Sequence, residues 1–272
     1  MRIRFTALLT AGVLVIASIA PAAAIVYGQR DEGGTYDNVG VLIREFDITG
    51  DGTLSPVMWC TGTLIDDDLF LTAAHCLFGD PANVWVSFEK QVPLDEETGA
   101  VDLTGANAIE AASHHSHPDA FCCGANDYHD IAVVRLSSAP GLAPAALPTL
   151  NQLGRMSAAA LRDETFTAVG YGLVRETRTK AFQSLLGTEG WRSFGQQSAL
   201  SLTKAWLTLS MNQATGNAGT CSGDSGGPHF DEAGTVVSLT VTGDLYCKAT
   251  DKTYRLDTPG ARDFLSDFLP VP

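Results

Sequence analysis

Three short segments of this sequence carry residues that together could perform serine hydrolysis. Ser225 stands in the segment Gly-Asp-Ser-Gly-Gly-Pro, residues 223–228, where glycines let the backbone turn tightly and point its amide groups at a reacting carbonyl. A serine becomes nucleophilic when a base removes its proton and a carboxylate orients that base. His75 and Asp130, each beside an apolar run, are the candidates for the base and the acid. We therefore expect His75, Asp130 and Ser225 to form a catalytic triad.

The order of these residues along the chain separates two kinds of serine hydrolase. The pattern Gly-x-Ser-x-Gly also fits the nucleophile elbow of the α/β-hydrolases, in which an acid and then a histidine follow the serine. After Ser225 the only histidine is His229, and no acid lies between them. The order His75, Asp130, Ser225 therefore argues against a secreted esterase or lipase on that fold.

The same segments resemble the three signatures of the chymotrypsin-like serine peptidases, the trypsin family. Thr-Ala-Ala-His-Cys at 72–76, Asp-Ile-Ala at 130–132 and the serine segment at 223–228 follow the family's order and spacing. The resemblance extends from Ile25 to the end of the chain. It implies an all-β fold of two packed six-stranded antiparallel β-barrels with a short C-terminal helix. It also implies a serine endopeptidase that works through an acyl-enzyme intermediate without a cofactor.

The resemblance assigns roles to residues around the triad. The backbone N–H groups of Gly223 and Ser225 would form the oxyanion hole, and Ser238 would hydrogen-bond the triad aspartate. The segment Gly-Tyr-Gly at 170–172 resembles the family's Gly-Trp-Gly. Because all members of the triad are present, a catalytically inactive binding protein on the same fold is the weaker alternative.

The resemblance also places a specificity pocket, in which Gly219 stands where trypsin-like members carry an aspartate. Without that carboxylate we expect an uncharged P1 side chain, aromatic or aliphatic. An alternative is that Lys252 approaches the pocket and favours an acidic P1. The segment between Ser238 and Cys247, which belongs to the pocket walls, is longer than is usual in the family. The residues expected to line the pocket are Gly219, Thr220, Ser222, Ser238, Leu239 and Thr240.

The beginning of the chain has the pattern of a secretory signal. Arg2 and Arg4 precede an apolar run over residues 5–20, and small residues lead to Ala24. The run is shorter than the roughly 20 residues that span a bilayer, which disfavours an uncleaved membrane anchor. We therefore expect residues 1–24 to be a signal peptide and the product to be secreted, into the extracellular space or the periplasm.

Cleavage after Ala24 would expose a chain that begins Ile-Val-Tyr-Gly. This start resembles the family's Ile-Val-x-Gly terminus, whose α-amino group inserts beside the aspartate that precedes the catalytic serine. We expect Ile25 and Asp224 to form this ion pair, since a buried carboxylate without a partner is destabilising. Signal cleavage would then also activate the enzyme. The alternative is an earlier cut followed by trimming by another protease.

Six cysteines form an even set in a chain with an export signal, which favours disulfides over metal thiolates. Their number alone leaves every pairing open. Cys122 and Cys123 are not a usual family feature and could form a vicinal bridge or stay free. The disulfides implied by the resemblance join Cys60 to Cys76 and Cys221 to Cys247.

A zinc site is the alternative use of the cysteines, because three histidines precede Cys122 and Cys123. No C-x-x-C or H-E-x-x-H spacing is present, and adjacent cysteines rarely supply two ligands of one tetrahedron. We therefore expect no metal. The histidines concerned are His114, His115 and His117.

The bulk composition limits the partners. The chain has 272 residues, of which 45% are hydrophobic, and a formal net charge of −14. This size and composition are typical of a folded globular protein, and the acidic balance disfavours nucleic acid and anionic membranes. The expected partners are protein or peptide substrates and a protein inhibitor, and the expected state is a monomer.

The elements that must position the triad are short β-type runs separated by Gly, Asp, Asn and Pro. Residues 139–160, rich in Ala and Pro, are the predicted linker between a half over 25–138, with His75 and Asp130, and a half over 161–272, with Ser225. Apolar residues at helical spacing after Pro259 predict a closing helix. The predicted strands cover 39–43, 57–65, 69–72, 84–88, 131–136, 165–169 and 236–241.

One segment imitates the start of a calcium loop. Asp47, Asp51 and Gly52 have the right spacing, but Met58 stands at the twelfth position, where a bidentate carboxylate is required. We therefore predict a hairpin turn over residues 50–52.

Overall fold

The structure is a computed structural model and describes residues 25–121, 128–173 and 190–272. The expected signal peptide and the pair Cys122 and Cys123 lie outside the described residues. The first described strand, β1, covers Gln29–Arg30. The next six strands are β2 (Val39–Asp47), β3 (Leu54–Leu64), β4 (Leu69–Thr72), β5 (Val84–Ser87), β6 (Ile109–Ser116) and β7 (Ala132–Leu136).

These six strands form the first barrel, which closes in the order β2-β3-β4-β7-β6-β5 with antiparallel pairing throughout. All four residues of β4 are buried, and so are four of the five in β7. Continuous apolar runs of this kind are expected for strands that are covered on both faces. At the β2–β3 turn, the Asp47 carboxylate accepts hydrogen bonds from the N–H groups of Gly50 (2.7 Å) and Gly52 (2.9 Å), and both glycines have positive φ.

The second barrel closes in the same way. Its strands are β8 (Thr165–Gly170), β9 (Ser193–Leu202), β10 (Trp206–Ser210), β11 (Pro228–Phe230), β12 (Val236–Gly243) and β13 (Thr250–Arg255). They pair in the order β9-β10-β13-β12-β11-β8, and β8 pairs again with β9 to complete the ring. The predicted fold of two six-stranded barrels is confirmed. β1 pairs with β9, so the start of the described chain is joined to the second barrel.

In the described part of the chain, two α-helices lie outside the barrels. α1 covers Ala158–Asp163, and α2 covers Pro259–Ser266 near the end of the chain. The Thr258 side chain accepts a hydrogen bond from Ala261 N and caps α2, and Pro259 at its first turn suits the fixed φ of proline. Ala261, Phe264 and Leu265 form its buried face. Among the described residues, no helix combines the length and the apolar composition that crossing a membrane requires.

The boundaries between the two halves remain a prediction. The first ring of strands ends at Leu136 and the second begins at Thr165. The segment between them contains a 3₁₀ turn, Leu153–Arg155, and α1.

Candidate active site

His75 and Asp130 are brought together by two paired strands of the first barrel. β4 pairs with β7 so that Thr72 lies opposite Ala132, and therefore the turn after β4 faces the segment before β7. His75 lies in the 3₁₀ turn Ala74–Leu77. Its Nδ1 is 2.7 Å from Asp130 Oδ2, and its backbone N–H donates to Asp130 Oδ1 at 2.9 Å. Asp130 is buried, so its carboxylate holds the imidazole in one orientation.

Ser225 lies on a loop of the second barrel that contacts the same place. Its carbonyl oxygen accepts a hydrogen bond from Thr61 N at 2.8 Å and lies 3.7 Å from Cys76 Sγ. Cys76 follows His75 and is joined to Cys60 by a disulfide. The loop of the predicted nucleophile is thus fixed against the turn that carries the predicted base.

Thr61 on β3 links the two barrels at this site, a role that no local pattern in the sequence indicates. Its hydroxyl donates to the carbonyl oxygen of Gly223 at 2.9 Å and accepts from Tyr171 N at 3.2 Å. Thr61 is fully buried. These bonds, with the one to Ser225, hold the loop in the conformation in which Gly223 has φ +96°.

The loop has the features of an oxyanion hole. In the described part of the chain, the N–H groups of Gly223 and Ser225 donate to no protein acceptor. They are therefore available to a substrate oxygen. Between the described side chains of His75 and Ser225 no hydrogen bond is formed. This contact is often long until a substrate is bound.

Asp224 is fully buried behind the nucleophile. Its carboxylate accepts hydrogen bonds from Gly172 N and Cys221 N, each at 2.8 Å. Burial raises the pKa of Asp224 to about 8, an effect that the two backbone N–H groups oppose and the charge of Asp251 reinforces. A Cβ at Gly170 or Gly172 would overlap the carboxylate oxygens, so this approach requires glycine on both sides of the tyrosine.

The start of the described chain packs beside this loop. Ile25 is fully buried against Ala168 and Ala218. Val26 and Gly219 exchange two backbone hydrogen bonds of 2.8 Å. Ile25, which is predicted to pair with Asp224, is therefore held against the residues that precede the Ser225 loop.

A cavity of about 240 Å³ opens beside Ser225. Of the residues predicted to line it, Thr220, Ser222 and Thr240 do so. The other three, Gly219, Ser238 and Leu239, do not border this cavity.

These three residues contact other parts of the structure. Gly219 pairs with Val26, and Leu239 is buried in the core. The Ser238 hydroxyl lies 2.9 Å from Thr253 Oγ1, and no hydrogen bond joins it to Asp130 among the described residues. The long segment before Cys247 forms the wall instead, with residues from Val241 to Leu245, and the disulfide Cys221–Cys247 closes it.

Lys252 and Asp244 are charged residues of this region, and each contacts other groups of the protein. Lys252 Nζ lies 4.3 Å from the centre of the Trp206 ring, and Lys252 does not border the cavity. Asp244 borders the cavity. Burial alone would raise its pKa, but backbone N–H groups of its own loop, chiefly those of Ala249 and Thr250, lower it.

A buried polar network lies behind the pocket, around the carboxylate of Asp251. Thr220 Oγ1 donates to Asp251 Oδ2 at 2.6 Å. His229 Nε2 lies 3.0 Å and Gln197 Nε2 lies 3.3 Å from the same oxygen. All four side chains are buried. Because Thr220 gives its proton to Asp251, only its lone pairs can face the cavity.

A second depression, of about 500 Å³, is larger than the pocket beside Ser225. Tyr36 and Phe230 line it, and it contains no member of the predicted triad. Size alone therefore does not locate the site.

Known proteins resemble this chain in sequence and in fold. It is 30% identical over 183 residues to a trypsin-like protease of Streptomyces glaucescens, covering 65% of this chain and 61% of that protein. It is 26% identical over 261 residues to the serine protease Hayan of Drosophila melanogaster, covering 90% of this chain but 38% of that protein. The chain therefore spans less than two thirds of either relative.

The solved structure of HL collagenase shares the fold, with a TM-score of 0.64 at 16% identity, covering 89% of this chain and 97% of that one. The sequence profile of the trypsin family, described as Trypsin, matches residues 44–262. That match begins within β2, ends within α2 and takes in the three segments that contain His75, Asp130 and Ser225. The chain belongs to the trypsin family.

Proposed function

We propose that this protein is a secreted serine endopeptidase with His75, Asp130 and Ser225 as its catalytic triad. The observation that carries the proposal is the 2.7 Å contact between His75 Nδ1 and the buried carboxylate of Asp130, beside the Ser225 loop. In the reaction, His75 Nε2 takes the proton of Ser225 Oγ as that oxygen attacks the peptide carbonyl, and later gives it to the leaving amine. Asp130 stabilises the imidazolium.

The N–H groups of Gly223 and Ser225 receive the oxyanion that forms in this step. Each such donor contributes roughly 3 to 4 kcal/mol to transition-state stabilisation. The collapse of the tetrahedral intermediate leaves an acyl group on Ser225, and water then hydrolyses it with His75 as the base.

The test is labelling with a fluorophosphonate followed by an assay of casein cleavage. The parent chain should be labelled at Ser225, and Ser225→Ala should lower peptidase turnover by about 10⁴- to 10⁶-fold. Ser201→Ala, which changes an exposed serine of β9 outside the site, is the matched control. An unlabelled parent would indicate an inactive binding protein. A labelled chain that cleaves esters but not casein would indicate an esterase.

The proposal includes an uncharged P1 side chain, aromatic or aliphatic. It is supported by the uncharged Thr220, which lines the pocket, and by the engagement of the Asp244 carboxylate with its own loop. A P1 scan with peptide substrates should show little preference for Arg or Lys. A strong preference for either would contradict the proposal, and Asp244→Asn and Asp251→Asn would then show which carboxylate is responsible.

We extend the proposal to processing. Removal of the signal peptide would free the α-amino group of Ile25 to pair with Asp224, and the burial of Ile25 beside the nucleophile loop supports this. The mature protein would then act as a monomer on protein or peptide substrates outside the cytoplasm. N-terminal sequencing of the active secreted form tests it, and a start other than Ile25 in fully active protein would overturn it.

A further inference from the structure

Two histidines and an aspartate meet at the edge of the first barrel, beside the segment that carries Asp130. His117 follows β6, His129 precedes Asp130, and Asp119 lies on the loop after His117. One potential ligand atom from each of the three lies within 4.8 Å of the other two. The two imidazole rings are stacked, with centroids 4.5 Å apart and planes at 24°.

The backbone fixes the positions of both histidines. His117 N donates to Ile131 O at 3.0 Å, and Ile131 N donates to His129 O at 2.8 Å. The His117 ring also packs on Phe264 of α2, with centroids 5.5 Å apart. The two rings are therefore held together by the β6–β7 ladder and the C-terminal helix before any ligand arrives.

This set of donors suits zinc. Imidazole nitrogens and a carboxylate bind Zn²⁺ at about 2.0–2.2 Å in a tetrahedron, whose corners are then roughly 3.4 Å apart, and three protein ligands leave one corner for water. His117 Nδ1 accepts a hydrogen bond from Asp119 N at 3.1 Å, so this nitrogen carries a lone pair that would bind the ion in place of that hydrogen bond. Asp119 is exposed and His117 and His129 are partly exposed, so the ligands have room to close by about 1 Å around an ion.

The other histidines of this region lie apart from the cluster. His114 Nε2 is 3.1 Å from Pro81 O, and the His115 ring packs on Phe268 with centroids 5.4 Å apart. A second grouping, His75 with Cys60 and Cys76, offers no thiolate because these cysteines form a disulfide. The structure thus selects a set that the sequence did not indicate, since the pairing of β6 with β7 brings His129 beside His117.

We propose that His117, Asp119 and His129 bind a zinc ion and that the bound ion lowers peptidase turnover. The second part rests on the proposed function. Zinc with one carboxylate ligand carries a net positive charge, and it would be bound by the residue next to Asp130. A positive charge there opposes the positive charge that develops on His75 when it takes the serine proton. Turnover therefore falls when the site is filled.

The binding test uses the purified chain after treatment with a chelator. Calorimetric titration with ZnCl₂ should show one site per chain, and MgCl₂ should give no heat of binding, because imidazole ligands favour zinc over magnesium. His117→Ala and His129→Ala should each weaken zinc binding by more than about 100-fold, beyond the loss caused by removing an outer-shell partner. His115→Ala, on the same β-ladder, is the matched control. Equal binding by the parent and the double variant of His117 and His129 would overturn the proposal.

The activity test compares each variant with its own metal-free rate. Saturating zinc should lower the turnover of the parent and of His115→Ala by at least about tenfold, a difference of about 1.4 kcal/mol, and leave His117→Ala unaffected. Inhibition of the same size in His117→Ala would show that zinc acts elsewhere and would overturn the second part. A chain that binds zinc but cleaves no peptide would disprove the proposed function and leave the site intact. An active peptidase that binds no zinc would disprove the zinc site and leave the proposed function intact.

Discussion

Asp224 should make the stability of the uncut chain depend strongly on pH. In the uncut chain the nitrogen of Ile25 is a peptide nitrogen without charge, and among the described residues no basic side chain forms an ion pair with Asp224. Burial raises the pKa of this carboxyl group from its ordinary 3.8 to about 8. Because the pKa is higher in the folded state than in the unfolded state, its contribution to stability is complete below about pH 4 and is lost as the pH rises to about 8.

The size of this loss follows from the shift. A rise of about four pKa units corresponds to on the order of 5 kcal/mol, since each unit is worth about 1.4 kcal/mol. That amount is comparable with the whole stability of many domains, which is about 5–15 kcal/mol. A free ammonium group on Ile25 would reverse the effect, because it would stabilise the ionised carboxylate.

The assay is urea denaturation at pH 4 and pH 8, in a Ser225→Ala background that prevents self-cleavage. Two chains are compared, one that begins at Ile25 and one that retains Ala24 before it. In the longer chain, Asp224→Asn should raise the free energy of unfolding at pH 8 by several kcal/mol and have little effect at pH 4. In the chain that begins at Ile25, the same substitution should lower it at pH 8, because it leaves the buried ammonium without a partner.

The opposite signs of these two effects make the test decisive. Subtracting the Asp224→Asn variant from its parent removes the contribution of every other titrating group. An effect of the same sign in both chains at pH 8 would refute the ion pair between Ile25 and Asp224. No effect in the longer chain would refute the raised pKa.

Three further predictions concern the parts that support the site. Thr61→Val should lower kcat by about tenfold with little change in KM, because the loop around Ser225 loses hydrogen bonds worth about 1 kcal/mol each. Thr61→Ser should restore the rate. An unaffected kcat in Thr61→Val would contradict the role of Thr61 in holding that loop. Asp251→Ala should lower the free energy of unfolding by about 3 kcal/mol, since it leaves buried polar partners unpaired; urea denaturation in the Ser225→Ala background measures it, and a change below about 0.5 kcal/mol would be the contrary result. Peptide mapping without reduction should recover Cys60 joined to Cys76, and either cysteine linked elsewhere would contradict the structure.

Some of the fold could be predicted because local sequence is enough to specify it. The run Leu69–Thr72, in which three apolar residues precede a threonine, is predicted as a strand and is β4. Pro259 and the apolar residues at helical spacing after it predict α2, since this periodicity acts within a few residues. The three short signature segments likewise indicated the two-barrel fold.

Other strands lack such a local signal. β9 is rich in Ser and Gln, and β6 ends in Ser-His-His-Ser. Neither run has the β-branched residues or the clean alternation by which a strand is recognised. They are strands because each pairs on both sides with neighbours in a closed barrel.

The sequence by itself determined which residues could do the chemistry, because a nucleophile, a base and an acid are recognised by type and by the few residues around them. Only the tertiary structure decided what surrounds them. Thr61 contacts a loop that lies 162 positions further along the chain, and His117 meets His129 only because β6 pairs with β7. The pocket wall formed by Val241 to Leu245 likewise depends on the path of one long loop. Such contacts depend on barrel closure and strand register, which join distant segments, and no local pattern of residues records which segments will meet.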